Sequence, residues 1–371
     1  MLRKMIAAAA MLLASASLNV ASAEDIVLAS ANPMTGNSAQ FGQYKVRAIQ
    51  LAIEQANTAG GIDGRQIRLV VEDDQGNPKE AALVAQRIVI DDSVMAVIGH
   101  WNSSSTLAAL PIYDKAKIPV VTDSINRKIS GASRWSFRVE PTDLQQAEQL
   151  SGYIVDTLGY KKIAVIYANN DYGQGLATAF SDALSKRGIE LAAQDAYLEG
   201  ATDFTPQISN VQQAEPEILF IIGYYREGAL IVQQAQRLGL ELPILGSDGF
   251  TTQELIKLGG AAVEGVIFPG FFFPNDERFP GSLEFVTAYE AKYGEKPESY
   301  GALAYDTTNM IFAAMREKGV SREAIRDYLE QMDGFSGVTG SHKFNADHDT
   351  EVRIILLTVK DGEIQLAEKQ L

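Results

Sequence analysis

The stretch Met95–Thr106, Met-Ala-Val-Ile-Gly-His-Trp-Asn-Ser-Ser-Ser-Thr, sets a cluster of hydroxyls directly behind an apolar run. Met95–Ile98 reads as the end of a buried parallel strand. The serines read as a polar loop, and Thr106–Lys115, with Leu107, Leu110, Ile112 and Tyr113 at helical spacing, as a helix. Strand, hydroxyl loop and helix together aim Ser side chains and first-turn N–H groups at one point beyond the strand. Those N–H groups lack partners and the helix dipole is positive there, so the point suits an anion. No Gly-rich cradle and no Lys accompany it, which favours a carboxylate over a polyphosphate. The plainer alternative is that the serines only cap the helix. His100 beside them invites a hydrolase reading, but the Gly-x-Ser-x-Gly elbow is absent and no nucleophile, base and oxyanion donor assemble from the sequence. The expectation is a protein that is not an enzyme, with no catalytic residue. Asp73-Asp74 with Asn77 lacks the spacing of a calcium loop and reads as a turn. Asp347-His348-Asp349 reads as an exposed charged loop. No metal or cofactor is expected in a chain with three His and no Cys.

The elements that must position these groups follow from the rest of the chain. Arg3 and Lys4, the apolar stretch from Met5 to Leu13 and the run ending Ala21-Ser22-Ala23 form a secretory signal, with cleavage expected after Ala23. That apolar stretch is too short to span a membrane stably, and nothing later is longer and as apolar. Removing residues 1–23 leaves 30 basic and 47 acidic residues, a net charge of −17. Such a balance argues against nucleic acid and anionic membrane as partners.

Strands are expected at Ile26–Ala29, Gln66–Val71, Met95–Ile98 and Ile118–Val121, with helices at Phe41–Ala59 and Glu80–Ile90 between them. The pattern breaks at Pro141-Thr142-Asp143 and restarts: strands at Lys162–Tyr167, Ile218–Ile222, Pro243–Leu245 and Val263–Phe268, helices at Gly175–Arg187 and Gly228–Leu238. Strands alternating with helices of this length indicate parallel sheets covered on both faces. The fold class is therefore α/β, two doubly wound parallel-sheet lobes. Ser282–Tyr293, Tyr300–Lys318 and Arg322–Met332 are helical patterns expected to return to the first lobe. Two alternating runs around Lys360-Asp361-Gly362 form a hairpin expected on the second. The boundaries are 24–143 plus 272–350 for lobe 1 and 144–271 plus 351–371 for lobe 2, with three crossings making a hinge that permits closure.

Ligands of open α/β sheets bind beyond the carboxyl ends of the strands. There the first lobe offers Ser103–Ser105 and Thr122–Asn126, suited to a carboxylate. The second offers Asp171-Tyr172, Tyr224-Tyr225 and Asp248, whose carboxylate suits an ammonium. An α-amino acid carries both groups, and Phe41, Trp101, Tyr172 and Tyr224 are aromatics for its side chain or over its ammonium. Each has a plainer reading: Phe41 as a staple for the following helix, Trp101 as core, the tyrosines as surface aromatics, Asp248 as a turn residue.

The chain resembles the periplasmic leucine/isoleucine/valine-binding proteins, the soluble ligand-capture components of ABC importers. The resemblance rests on Ala39-Gln40-Phe41-Gly42, Asn57-Thr58-Ala59-Gly60-Gly61-Ile62, Ile98-Gly99-His100 with its Ser-Ser-Ser-Thr, Asp171-Tyr172-Gly173-Gln174-Gly175, Gly223-Tyr224-Tyr225 and Ala304-Tyr305-Asp306, in that order. It implies a type I periplasmic binding fold, periplasmic location, an amino-acid ligand, an ABC permease partner and a monomer. By position it implies Ser103 at the α-carboxylate, Tyr172 and Tyr224 lining the pocket, Asp248 on the α-ammonium, and Phe41 and Trp101 as walls. The departure is Thr122-Asp123-Ser124-Ile125-Asn126-Arg127, where members have a Ser-Pro-Ala-Ala-Thr-Asn-like run. Ser124 and Asn126 stand where that run completes the carboxylate and ammonium contacts. The alternative function is a freestanding sensor component for a small amide or carboxylate.

Overall fold

A computed structural model describes residues 24–274, 276, 278–279 and 281–371; the expected signal, residues 1–23, lies outside them. The first sheet takes β1 (Ile26–Asn32), β2 (Ile67–Asp73), β3 (Val94–Gly99), β4 (Val120–Thr122) and β5 (Ser136–Arg138) in the order β2-β1-β3-β4-β5, every pair parallel. The second takes β6 (Ile163–Ala168), β7 (Ala193–Tyr197), β8 (Ile218–Ile222), β9 (Ile244–Gly246) and β10 (Ile267–Gly270), parallel in the order β10-β9-β8-β6-β7. A two-stranded ribbon, β11 (Phe335–Gly337) with β12 (Gly340–His342), stands apart. The expected hairpin, β13 (Ile355–Lys360) and β14 (Glu363–Leu366), adds to the second sheet antiparallel through β10.

Burial follows the period of the strands. Along β1, Ile26 and Leu28 enter the main core, which includes α1 (Ala39–Thr58), whereas Val27, Ala29 and Ala31 enter a second core under α2 (Pro78–Ile90) and α3 (Ser103–Ala116). Successive side chains point to opposite faces, so a strand buried at every position, as β1 is, is one covered on both faces. Helix starts are written locally. Asn77 accepts from the N–H of Lys79 and Glu80 ahead of α2, with Pro78 at the first position. Thr142 and Gln145 form a capping box on α4 (Asp143–Gly152).

The second lobe carries α4, α5 (Asp171–Lys186), α6 (Thr205–Ala214), α7 (Tyr225–Arg237) and α8 (Gln253–Gly259). After β10 the chain forms α9 (Leu283–Tyr293), α10 (Ser299–Lys318) and α11 (Arg322–Gln331). Of these, α10 packs along α1, and α11 along α10 and β3. The chain therefore passes between the two sheets' surroundings after β5, after β10 and ahead of β13.

The elements unseen in the sequence are short or lack an apolar stripe. β5 has three residues. α4 buries Asp143, Gln146 and Ser151 beside its apolar positions, and α6 buries only Ile208 and Val211. The Asp347–Asp349 segment is not the exposed loop expected. His348 stacks on Phe137 with ring centroids 4.4 Å apart, and Asp349 pairs with the buried Arg138 at 3.0 Å. Its partner lies two hundred residues away, which no local charge pattern reveals.

Candidate functional site

In both sheets the chain order reverses direction beside the first strand of the unit, β1 against β3 and β6 against β8. Ligand crevices open at such switch points, outside the carboxyl ends of the strands. Trp101, Asn102 and Ser103 follow β3, Asp123 and Ile125 follow β4, Tyr172 and Tyr224 follow β6 and β8, and Asp248 follows β9. These eight side chains enclose one cavity.

On the first lobe the serines are not a loop: α3 begins at Ser103 itself. Its first intrahelical bond runs from the Thr106 N–H to Asn102 O at 3.0 Å. The N–H groups of Ser103–Ser105 thus belong to the unpaired first turn. Ser103 Oγ and Ser105 Oγ are buried with no partner among the described residues, and so is Asn102 Oδ1. Buried polar atoms are normally bonded, so unpaired hydroxyls at a helix N-terminus beside a cavity mark a place for an acceptor from outside the chain.

On the second lobe Asp248 is 3% exposed. Tyr172 donates its hydroxyl to Asp248 Oδ1 at 2.6 Å, and Tyr300, reaching across from α10, donates to Oδ2 at 3.0 Å. Burial pushes the Asp248 carboxyl above its ordinary value, and these hydroxyls pull it back down. Tyr172 stacks on Tyr224 at 5.3 Å, and Trp101 tilts against Tyr224 at 5.5 Å. Beside them Lys45, on the inner face of α1 and 1% exposed, forms an ion pair with Asp123.

The lobes are shut. Ser104 Oγ donates to Asp171 Oδ2 at 2.9 Å, Asn126 Nδ2 to Asp171 O at 2.5 Å, and the Arg127 guanidinium to Gly175 O at 3.1 Å. The enclosed space is about 10 Å³, room for about one water.

Of the residues singled out from the sequence, Ser103, Trp101, Tyr172, Tyr224 and Asp248 line this cavity. Three do not. Phe41 stands behind Trp101, stacked on it at 4.2 Å, and is a second layer of the wall. The Ser124 hydroxyl is occupied by His100 O at 3.1 Å, Trp101 O at 2.9 Å and Thr106 Oγ1 at 2.6 Å, so it braces the β3–α3 turn. Asn126 spends its amide on Asp171 and on the Lys128 N–H, as an inter-lobe tie and a cap. His100 is also accounted for: Nδ1 meets Asp74, and Nε2 lies 3.1 Å from the Tyr113 hydroxyl. Sequence reasoning missed Lys45, Asn102, Glu140 and Tyr300, and had Asp123 and Ile125 only inside the ligand-facing segment Thr122–Asn126, with no role given to either. The signal for Lys45 was a lone charge four residues beyond Phe41 on the apolar stripe of α1.

The profile described as Periplasmic binding protein matches residues 25–363. An amino acid binding protein of Pseudomonas aeruginosa is 34% identical over 81% of this chain and 80% of its own length. A leucine-, isoleucine-, valine-, threonine- and alanine-binding protein of the same organism is 30% identical over 92% of this chain and 91% of its own length. Among solved structures, the branched-chain amino acid transporter substrate-binding protein LivJ of Streptococcus pneumoniae, in complex with isoleucine, superposes with a TM-score of 0.87. It is 30% identical, covering 94% of this chain and 100% of that one. The leucine-binding protein LivK of Thermotoga maritima gives the same TM-score and identity over 92% and 97%.

Proposed function

Because this chain belongs to the periplasmic binding protein family, we propose that it captures an α-amino acid between its lobes and delivers it to the membrane permease of an ABC importer. The observation that carries the reading is one cavity with opposite ends of opposite character. At one end stand the partnerless Ser103 hydroxyl and the first turn of α3, at the other the buried Asp248. The α-carboxylate takes the Ser103 end, where N–H groups and the helix dipole meet it. The α-ammonium takes Asp248 across a site from which water is excluded, where a charge-assisted hydrogen bond is strongest. Trp101, Ile125, Tyr172 and Tyr224 surround the rest of the molecule, which suits an aliphatic or otherwise hydrophobic side chain. The relatives named for leucine, isoleucine, valine, threonine and alanine support that class.

A closed cavity of about 10 Å³ admits such a ligand only when the lobes part. The three passages of chain between the lobes serve as the hinge, and Asn126, Ser104 and Arg127 supply ties that form on closure. The protein binds and releases its ligand unchanged. It works in the periplasm, reached by cleavage of the signal after Ala23.

Thermal unfolding of the purified protein with each of the twenty amino acids tests this. A ligand that binds only the folded state adds about 2.7 kcal/mol at a concentration a hundred times its Kd. Expected are raised midpoints with aliphatic amino acids, and ligand recovered chemically intact. A flat response to all twenty, or an altered product, would overturn the reading.

A further inference from the structure

Glu140 lies between β5 and α4, where the chain first passes from one lobe to the other. It is fully buried. Oε1 accepts from Gln146 Nε2 at 3.3 Å. The neighbouring acidic group is Asp248, whose charge raises the cost of ionising Glu140, while Oε2 itself has no hydrogen-bond partner among the described residues. Two carboxyls bond to each other only with a proton between them.

Among the described residues no cation replaces that proton. Lys45, from α1, is committed to Asp123. Arg138, from β5, is committed to Asp349 and to the carbonyls of Ile125 and Asn126. The other groups facing the pair are the hydroxyls of Tyr172 and Tyr300, both spent on Asp248. The two carboxyls therefore differ in kind. Asp248 receives two hydroxyl bonds, at 2.6 and 3.0 Å, which favour its anion. Glu140 receives one long amide bond and holds an oxygen that only a proton of its own would satisfy.

We propose that Glu140 is a positioning residue held as the neutral acid, donating through Oε2 to Asp248 and so completing a three-donor cradle around that carboxylate. Burial, and the neighbouring Asp248 and Asp123 charges, push the Glu140 carboxyl well above the usual range, in agreement with that geometry. With Lys45 and Asp123 neutral as a pair, the cradle presents one negative charge, matched to one ammonium. The match to an ammonium rests on the function proposed above; the protonation does not.

The infrared difference spectrum between ligand-free wild type and Glu140→Gln at pH 7 reads the proton directly. A protonated-carboxyl stretching band should be lost in the variant, while any band from Glu298 stays in both. Absence of that loss overturns the proposal whatever the ligand is. The positioning role is read from alanine and leucine affinities by calorimetry, on variants shown to be folded by circular dichroism. Glu140→Gln keeps a donor and should retain most of the affinity, whereas Glu140→Leu should lose about tenfold or more. Equal losses in the two variants would overturn the positioning role. Should neither amino acid bind the wild type, the functional reading fails while the infrared band still reports the proton.

Discussion

Replacing Asp248 by Ala removes the one carboxylate at the second-lobe end of the cavity. A ligand ammonium enclosed there would be left unpaired, a loss of about 2–5 kcal/mol, or roughly thirty-fold to several-thousand-fold in affinity. The substitution has a second effect, because the Tyr172 and Tyr300 hydroxyls, at 2.6 and 3.0 Å from Asp248, lose their acceptor. Each stranded hydroxyl costs about 1–3 kcal/mol. That cost falls on any closed complex, with or without an ammonium in the ligand. A comparison of ligands separates the two effects. The keto acid of the best amino acid lacks the ammonium but keeps the carboxylate, so it should bind wild type weakly and lose only the second contribution in Asp248→Ala. Calorimetry of both ligands against both proteins closes a double-mutant cycle in which the shared cost cancels. A coupling of about 2 kcal/mol or more is expected. If Asp248→Ala weakens keto acid and amino acid equally, the ammonium does not sit at Asp248 and the assignment of the two ends of the cavity is wrong.

Three further outcomes follow from the same geometry. Trp101→Leu widens the existing cavity, now about 10 Å³, on the face backed by Phe41, so titrations of alanine against leucine should show preference moving toward the larger ligand; an unchanged ratio would remove Trp101 from the specificity wall. Arg138→Met strands the buried Asp349 and should cost about 3–5 kcal/mol in urea unfolding, most of it regained in the double variant Arg138→Met/Asp349→Leu; no recovery would show that the guanidinium bonds to the 125–126 backbone dominate. Burial pushes the Glu298 carboxyl from its ordinary 4.5 up to about 8, against the Tyr300 and Gly301 N–H groups that it caps. The folded chain then holds a proton that the unfolded chain has released, so this stability is full below about pH 4.5 and is lost as pH rises toward 8. Glu298→Gln should flatten that part of the unfolding midpoint against pH, and an unaltered slope would refute the assignment.

Local order in the chain was open to reading where one period ran long enough. The apolar run that opens β1, the stripes of α1, α5 and α7, and the Asp361-Gly362 turn each carry their own pattern, and together they imply two parallel sheets. The cavity residues legible in advance were those that directly follow such strands: Trp101 and Ser103 after β3, Tyr172 and Tyr224 after β6 and β8, Asp248 after β9. What could not be read was the partnership of polar groups across the fold. Ser124 and Asn126 have the right types and lie beside the cavity, yet their bonds go to the β3–α3 turn and to Asp171. Lys45, Glu140 and Tyr300 come from a helix face, a lobe crossing and a returning helix, and only the tertiary fold brings them to Asp123 and Asp248.

The departure at Thr122–Arg127 is best understood through that charge network. The resemblance places a Pro-containing run of small residues there, and this chain places Asp123 instead. An added anion near Asp248 would raise the cost of closing the lobes, since like charges in a low-dielectric site repel strongly. Lys45 removes that cost by pairing with Asp123, and both members are buried. A buried pair of this kind adds little to stability on its own, because desolvation offsets attraction. Its consequence is electrostatic: the pair is neutral, so Asp248 is the group left to meet a cation. The same segment still serves the first lobe. Ser124 holds the carbonyls of His100 and Trp101, and Arg138 holds those of Ile125 and Asn126, fixing the entry to α3 where Ser103 waits without a partner. The unusual residues thus brace the first turn of α3 from behind, while Ser103 and Asp248 remain on the cavity wall.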